Sequence, residues 1–254
     1  ADLGNSTMSR QFQDKYPQRY FEMGIAEADM TSTAAGLAAS GKIPFTNSFA
    51  VFSGGRAFDQ IRQTIAIGKL NVKICGSSAG LSDFGDGATH QSVEDMAIMR
   101  AIPNMTVLSP ADGNETYKVV KAMAAMDGPC YIRVNRNDYD NVTAEDAPFV
   151  IGQPTVLREG KDVTVFATGY MVSLALQAAE QVEDKADVKV VNVSTLKPLN
   201  NEAIRQLAAG SRGVVTAEEH SVIGGLGGAV AQALAPAPIP MSFVGIEDCF
   251  GCSA

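Results

Sequence analysis

The sequence predicts an α/β protein of two consecutive domains, each a mainly parallel sheet covered by helices on both faces. Three observations carry that expectation. Short apolar runs alternate with longer amphipathic stretches in the order of parallel β-α-β units. A polar stretch from Asn135 to Pro148, with Asn-Asp and Ala-Glu-Asp-Ala-Pro clusters, interrupts the alternation, which then restarts. The chain has 254 residues, 46% of them hydrophobic, which suffices for one large core or two medium ones.

Taken in order, Arg19 to Met23 reads as the first strand, Gly24 as a tight turn, and Thr31 to Ser40 as a helix of very small residues able to approach another backbone closely. Further strands are expected at Ile43 to Ser48, Val72 to Cys75, Thr106 to Ser109 and Cys130 to Val134. Helices are expected at Gly55 to Ile67, Ser92 to Ala101 and Asn114 to Met126, the last with Tyr117, Val120, Met123 and Ala124 on one face. Short strands between such helices imply a sheet buried on both sides. Beyond the break, Val163 to Thr168, Val188 to Val193, Gly213 to Ala217 and Ser242 to Ile246 are strands. Met171 to Val182, with Leu174, Leu176 and Ala178 as core candidates, and Gly228 to Ala235 are helices. The expected division is residues 1–140, a linker over 141–158 and a smaller domain over 159–254.

Composition excludes several classes of function. Twenty basic residues against 28 acidic ones give a net charge of −8, and no basic cluster offers a footprint for nucleic acid or an anionic membrane. No apolar run approaches the length of a membrane span, and the start, Ala1-Asp2-Leu3-Gly4-Asn5, lacks the basic and apolar regions of a signal peptide. A cytoplasmic protein is expected. Cys75, Cys130, Cys249 and Cys252 are too few and too scattered for a disulfide framework. Cys249 and Cys252 have C-x-x-C spacing but no second ligand pair, so no metal site is expected.

Three segments can carry chemistry. Met23-Gly-Ile-Ala-Glu27 places a carboxylate at a helix start inside a packed interface, where a charge needs a partner; Glu27 is either a helix cap or a catalytic group. Asn47-Ser-Phe-Ala-Val-Phe-Ser-Gly-Gly-Arg56 sets Phe49 and Phe52 just after a strand, as core packing or as a stacking platform for a flat heteroaromatic ligand. Gly85-Asp86-Gly87-Ala88-Thr89-His90-Gln91 follows another strand end. There Asp86 and His90 are turn and helix-start residues, or a pair that hydrogen-bonds a polyhydroxylated substrate and moves protons. Gly224-Gly-Leu-Gly-Gly228 lacks dinucleotide-loop spacing and follows Glu218-Glu219-His220, which reads as a cap or interface cluster.

Taken together, these segments resemble the carboxyl-terminal part of transketolase. Added to them are Ile102-Pro-Asn-Met-Thr-Val107, Pro110-Ala-Asp-Gly-Asn-Glu115 and the Arg133 to Arg136 segment, and the likeness covers nearly the whole chain. It implies a thiamine-diphosphate pyrimidine-binding domain followed by a transketolase C-terminal domain. It also implies that Glu27 matches the glutamate that hydrogen-bonds the aminopyrimidine N1′ and favours its imino tautomer. Phe52 matches the aromatic that stacks on the pyrimidine, with Phe49 beside it, Asp86 and His90 match residues that hold substrate hydroxyls, and Arg136 matches a sugar-phosphate-binding arginine.

The chain departs from the resemblance at two points. Ser78 stands where many relatives carry a histidine that helps to hold phosphate, which makes a donor with another terminal anion, or none, plausible beside ordinary sugar phosphates. No Gly-Asp-Gly to Asn-Asn segment is present to carry the diphosphate with Mg2+ or Ca2+. The resemblance therefore implies the second subunit of a split transketolase, whose partner chain holds diphosphate and metal in a two-plus-two heterotetramer. It also implies that terminal residues of relatives are missing at both ends. The expected reaction moves a two-carbon ketol unit from a ketose to an aldose. Alternatives are a 1-deoxyxylulose-phosphate synthase-like or 2-oxo-acid dehydrogenase β-type subunit, or a non-catalytic scaffold.

Overall fold

The computed structural model describes residues 1–253. In chain order these form α1 (Arg10–Lys15), α2 (Glu27–Ala39), β1 (Phe45–Phe49), α3 (Phe58–Gln60), β2 (Lys73–Ser77), α4 (Asp95–Ala101), β3 (Thr106–Leu108), α5 (Gly113–Ala125), β4 (Cys130–Arg133) and β5 (Thr155–Arg158). They continue with β6 (Val163–Ala167), α6 (Met171–Gln181), β7 (Val188–Asn192), β8 (Thr195–Lys197), α7 (Asn201–Ala208), β9 (Gly213–Ser221), α8 (Leu226–Leu234) and β10 (Met241–Ile246). Two compact units result. Among the described residues the first comprises 1–106, 123–137 and 251–253, the second 107–122 and 138–250.

In the first unit β1, β2 and β4 lie side by side and parallel, in register from Phe45 against Lys73 and from Lys73 against Cys130. Their carboxyl ends therefore point one way, and the segments that follow them gather at one edge. Inside this layer Asp95, fully buried at the start of α4, accepts from the Tyr131 hydroxyl at 2.8 Å and pairs with Arg133 Nε at 3.0 Å, tying α4 to β4. Tyr131 reaches Asp95 across β2 only because residue 76 is glycine: a Cβ there would lie 2.1 Å from its hydroxyl. Burial holds the Tyr131 phenol above its usual range, and it pushes the buried Cys130 thiol up to about 12, so that cysteine stays protonated and unreactive.

In the second unit the sheet runs β10-β9-β6-β7-β5, parallel except for β5. Val107 and Leu108 of β3 pair antiparallel with β8. Ala167, Val172, Ala175, Val188, Val190 and Ala217 form the apolar core. Glu115 of α5 is buried and accepts from the Ala111 N–H at 2.7 Å, from Asn192 Nδ2 at 3.0 Å and from the Ser194 hydroxyl at 2.5 Å. Truncating it strands three buried donors, and one orphaned group costs about 1–3 kcal/mol. Glu115→Ala is therefore expected to lower stability by about 3 kcal/mol, and a denaturant titration showing an unchanged midpoint would refute this network.

Several expectations need correction. No strand forms over Arg19 to Met23: residues 17–19 make a 3-10 turn, and Phe21 and Ile25 are exposed. Glu22 takes the Tyr20 hydroxyl at 3.0 Å and the Gly24 N–H at 3.1 Å, so local side-chain bonds replace a ladder. The helix expected over Gly55 to Ile67 is two π-helical turns, Val51–Arg56 and Ile61–Ala66, flanking α3. On α5 the buried positions are Glu115, Val119 and Met123, while Tyr117, Val120 and Ala124 are exposed. A charged residue on the buried face hid the stripe. On α6 the buried residues are Val172, Ser173, Ala175 and Ala179, Leu174 and Leu176 are half-buried and Ala178 is exposed. Strand β5 falls inside the segment read as linker, and β8 and α7 went unread; α7 is capped by Asn200, whose side chain accepts from Ala203 N–H at 3.0 Å.

Candidate active site

All the site residues foreseen from sequence except Glu27 follow the carboxyl ends of the parallel strands of the first unit. Phe49 ends β1 and Phe52 lies in the π turn after it; Ser78, Asp86 and His90 follow β2; Arg136 follows β4. Glu27 opens α2, the helix that leads into β1.

Glu27 is 2% exposed, and it does not cap its own helix: the cap position is Ala26, with no side-chain cap bond. Its two oxygens are engaged separately, Oε1 by the Ser48 hydroxyl at 3.0 Å and Oε2 by Arg56 Nη1 at 3.1 Å. Alternation along β1 brings Ser48 to it, since residues 46, 48 and 49 are buried and Phe45 is exposed. The π turn carries Arg56 back over the strand end. The Arg56 carbon lies 4.2 Å from the Phe52 ring centre, so one guanidinium joins the carboxylate to the aromatic.

The aromatics form a cluster with the histidine. Phe49 and Phe52 are stacked, with centroids 6.1 Å apart and planes 12° from parallel. His90 stands edge-on to both, at 6.0 and 5.2 Å. Its Nδ1 is 2.9 Å from the Thr89 hydroxyl, which leaves Nε2 as the ring nitrogen that can serve another molecule. Phe49 is buried and Phe52 half-buried, so Phe52 offers the more open face.

Arg136 lies 5.8 Å from the Phe49 centroid and pairs with the buried Asp83 at 2.9 Å, with 41% of its side chain exposed. Its backbone N–H donates to Ser82. Ser78 sits in the left-handed region at φ 50°, almost fully buried, and its Oγ has no partner. Asp86 is exposed. Ring and guanidinium contacts link Phe49, Phe52, His90 and Arg136, and Arg56 links Phe52 to Glu27, whereas no such contact joins Ser78 or Asp86 to them. The loop between them is held in place: Gly87 has φ 71° and a Cβ there would lie 2.5 Å from Ser253 N, while Gln91 Nε2 donates to Leu81 O and Cys252 O, each at 3.3 Å.

Arg56, Ser48 and Asp83 went unassigned in sequence. Arg56 lay within the segment quoted for its phenylalanines, and the signal was its place beside two glycines after that pair. The remaining motifs are structural. Glu218 accepts from the N–H groups of Leu226 and Gly227 at 2.6 and 2.8 Å, capping α8 rather than repelling a ligand from it. Cys249 and Cys252 are exposed free thiols, and among the described residues no group of three or more His, Cys, Asp or Glu side chains can hold a metal. No helix among them is long and apolar enough to cross a membrane.

A planar group with a ring N–H would find an acceptor in Glu27 and a face in Phe52, which is the pair of contacts Arg56 makes. The residues present thus fit the aminopyrimidine end of thiamine diphosphate. Two mainly parallel α/β domains in series, with such a cluster at the strand ends of the first, define the class of thiamine-diphosphate enzymes. Family models agree: the transketolase pyrimidine binding domain matches residues 1–141, and the transketolase C-terminal domain residues 152–251.

The chain belongs to the transketolase family, and in content and domain order it matches the C-terminal subunit of split transketolases. It is 45% identical to the 6-deoxy-6-sulfo-D-fructose transketolase subunit of Clostridium sp. (strain MSTE9), over 99% of this chain and 79% of that protein. It is 37% identical to an apulose-4-phosphate transketolase subunit of Phocaeicola vulgatus, over 98% and 80%. A solved split-gene transketolase, an inactive beta4 tetramer, superposes with a TM-score of 0.89 at 47% identity, covering 97% of this chain and 81% of that one.

Proposed function

We propose that this chain is the catalytic half-site subunit of a transketolase that moves a two-carbon ketol unit from a ketose donor to an aldose acceptor. The observation that carries the reading is the Glu27, Phe52 and His90 cluster at the strand ends of a pyrimidine-binding domain. Thiamine diphosphate supplies a carbon nucleophile that no amino-acid side chain offers. Glu27 would hold the proton at the ring N1′, strengthened by burial, while Phe52 and Phe49 hold the ring in place. His90 Nε2 and Asp86 would bind the hydroxyls beside the reacting carbon and exchange protons with them.

Diphosphate and Mg2+ or Ca2+ fall to a partner chain carrying the Gly-Asp-Gly to Asn-Asn segment, and the working assembly is a two-plus-two heterotetramer in the cytoplasm. Support comes from relatives named as subunits and from the related split-gene chain, whose beta4 tetramer is inactive. Arg136, partly exposed beside the cluster, is the cation for the donor's far end. With Ser78 in place of a histidine, that end is an oxyanion not restricted to phosphate; one relative is named for a sulfo-sugar and another for a phosphorylated one.

Product analysis of the reconstituted complex tests the reaction. Ketose and aldose together should give the shortened aldose and the extended ketose in equal amounts. Decarboxylation of pyruvate as sole donor, without ketol transfer, would favour a synthase or dehydrogenase instead. Comparing donors that end in phosphate, in sulfonate and in an uncharged group should show the last with the weakest kcat/KM, and equal values for all three would remove Arg136 from substrate binding.

A further inference from the structure

We propose that Arg56 is a placeholder for the cofactor's ring: its guanidinium takes the contacts that the aminopyrimidine would take and must swing away before Glu27 can engage the cofactor. This rests on the pyrimidine site placed above at Glu27 and Phe52. A guanidinium is flat, cationic and rich in N–H donors. Arg56 uses those properties on two partners at once, lying 4.2 Å from the Phe52 centroid and donating to Glu27 Oε2 at 3.1 Å. Because Ser48 already holds Oε1, Oε2 is the oxygen left for a ring nitrogen, and Arg56 is on it.

The arrangement makes physical sense in a subunit that exists before its site is complete. A carboxylate 2% exposed needs a counter-charge, and Arg56 supplies one until the cofactor arrives. Its own side chain is 50% exposed, so it can return to water without a buried cation being stranded. Within the turn Val51–Arg56, Arg56 stands four residues after Phe52 and so on the same side of the winding, and Gly55 has no heavy atom near its missing Cβ, so nothing packs the turn on that side. The same feature adds a threshold, since the cofactor binds only the fraction of subunits whose arginine has left.

Calorimetric titration of the metal-loaded complex with thiamine diphosphate tests the proposal, alongside thermal unfolding of this chain without cofactor. An arginine that holds the site closed ten times as often as open weakens apparent affinity by about tenfold. Arg56→Ala should therefore bind about tenfold tighter than wild type while the cofactor-free chain melts lower, and Arg56→Lys, which keeps the charge but not the flat face, should fall between. A merely structural arginine cannot yield tighter binding on removal. Equal or weaker binding by both variants would overturn the placeholder. Failure of the wild-type complex to bind thiamine diphosphate would instead overturn the pyrimidine site on which it rests.

Discussion

Glu27→Gln is expected to lower the turnover of the reconstituted complex by about 10²–10⁴-fold while leaving its assembly intact. The amide is nearly isosteric, so the Ser48 contact survives, but it bears no negative charge. The site depends on a carboxylate that is almost fully buried, where low dielectric makes its pull on a ring proton strong. Removing a charge from such a place does not threaten the fold, because an uncharged group is easier to bury than an ionised one. The effect should therefore appear in kcat, with the oligomer unchanged by size-exclusion chromatography. Steady-state ketol transfer within a factor of two of wild type would contradict the role given to Glu27.

The second large effect is expected at His90. His90→Ala should lower kcat/KM by about 10²-fold with thiamine diphosphate affinity nearly unchanged. The ring stands edge-on to Phe49 and Phe52, and Thr89 occupies its Nδ1, so its orientation is set by neighbours. Its task is then at Nε2, on the substrate. Loss of cofactor affinity equal to the loss of kcat/KM would show that His90 holds the ring instead.

Much of the fold is legible because β4, β6 and β7 are short runs rich in buried apolar residues and bounded by polar turns, which leaves a plain signal. What stayed hidden depended on contacts made elsewhere. Glu115 sits on the buried face of α5 because Asn192 and Ser194 receive it, and no local pattern announces partners so far along the chain. The run Arg19 to Met23 looked like a strand but has no neighbour to pair with.

The same division runs through the site. Motif residues point to Glu27, Phe49, Phe52, His90 and Arg136; Phe49, Phe52, His90 and Arg136 follow strand ends and contact one another, and Glu27 joins them through Arg56. Reading Glu27 as a helix cap failed because its carboxylate turns away from its own helix toward Ser48 and Arg56. Arg56 itself is not singled out by the sequence because an arginine four residues after a phenylalanine is an ordinary helix-surface pair, and only the structure shows its guanidinium on both the ring and Glu27.

The central claim is that this chain holds one half of a site that a second chain completes. Mixing the purified chain with its partner, with magnesium and thiamine diphosphate present, and following ketol transfer against the mixing ratio tests it most directly. Activity should be absent from either chain alone, rise on mixing and saturate at one-to-one. Ketol transfer by this chain alone, or no dependence on thiamine diphosphate, would contradict it.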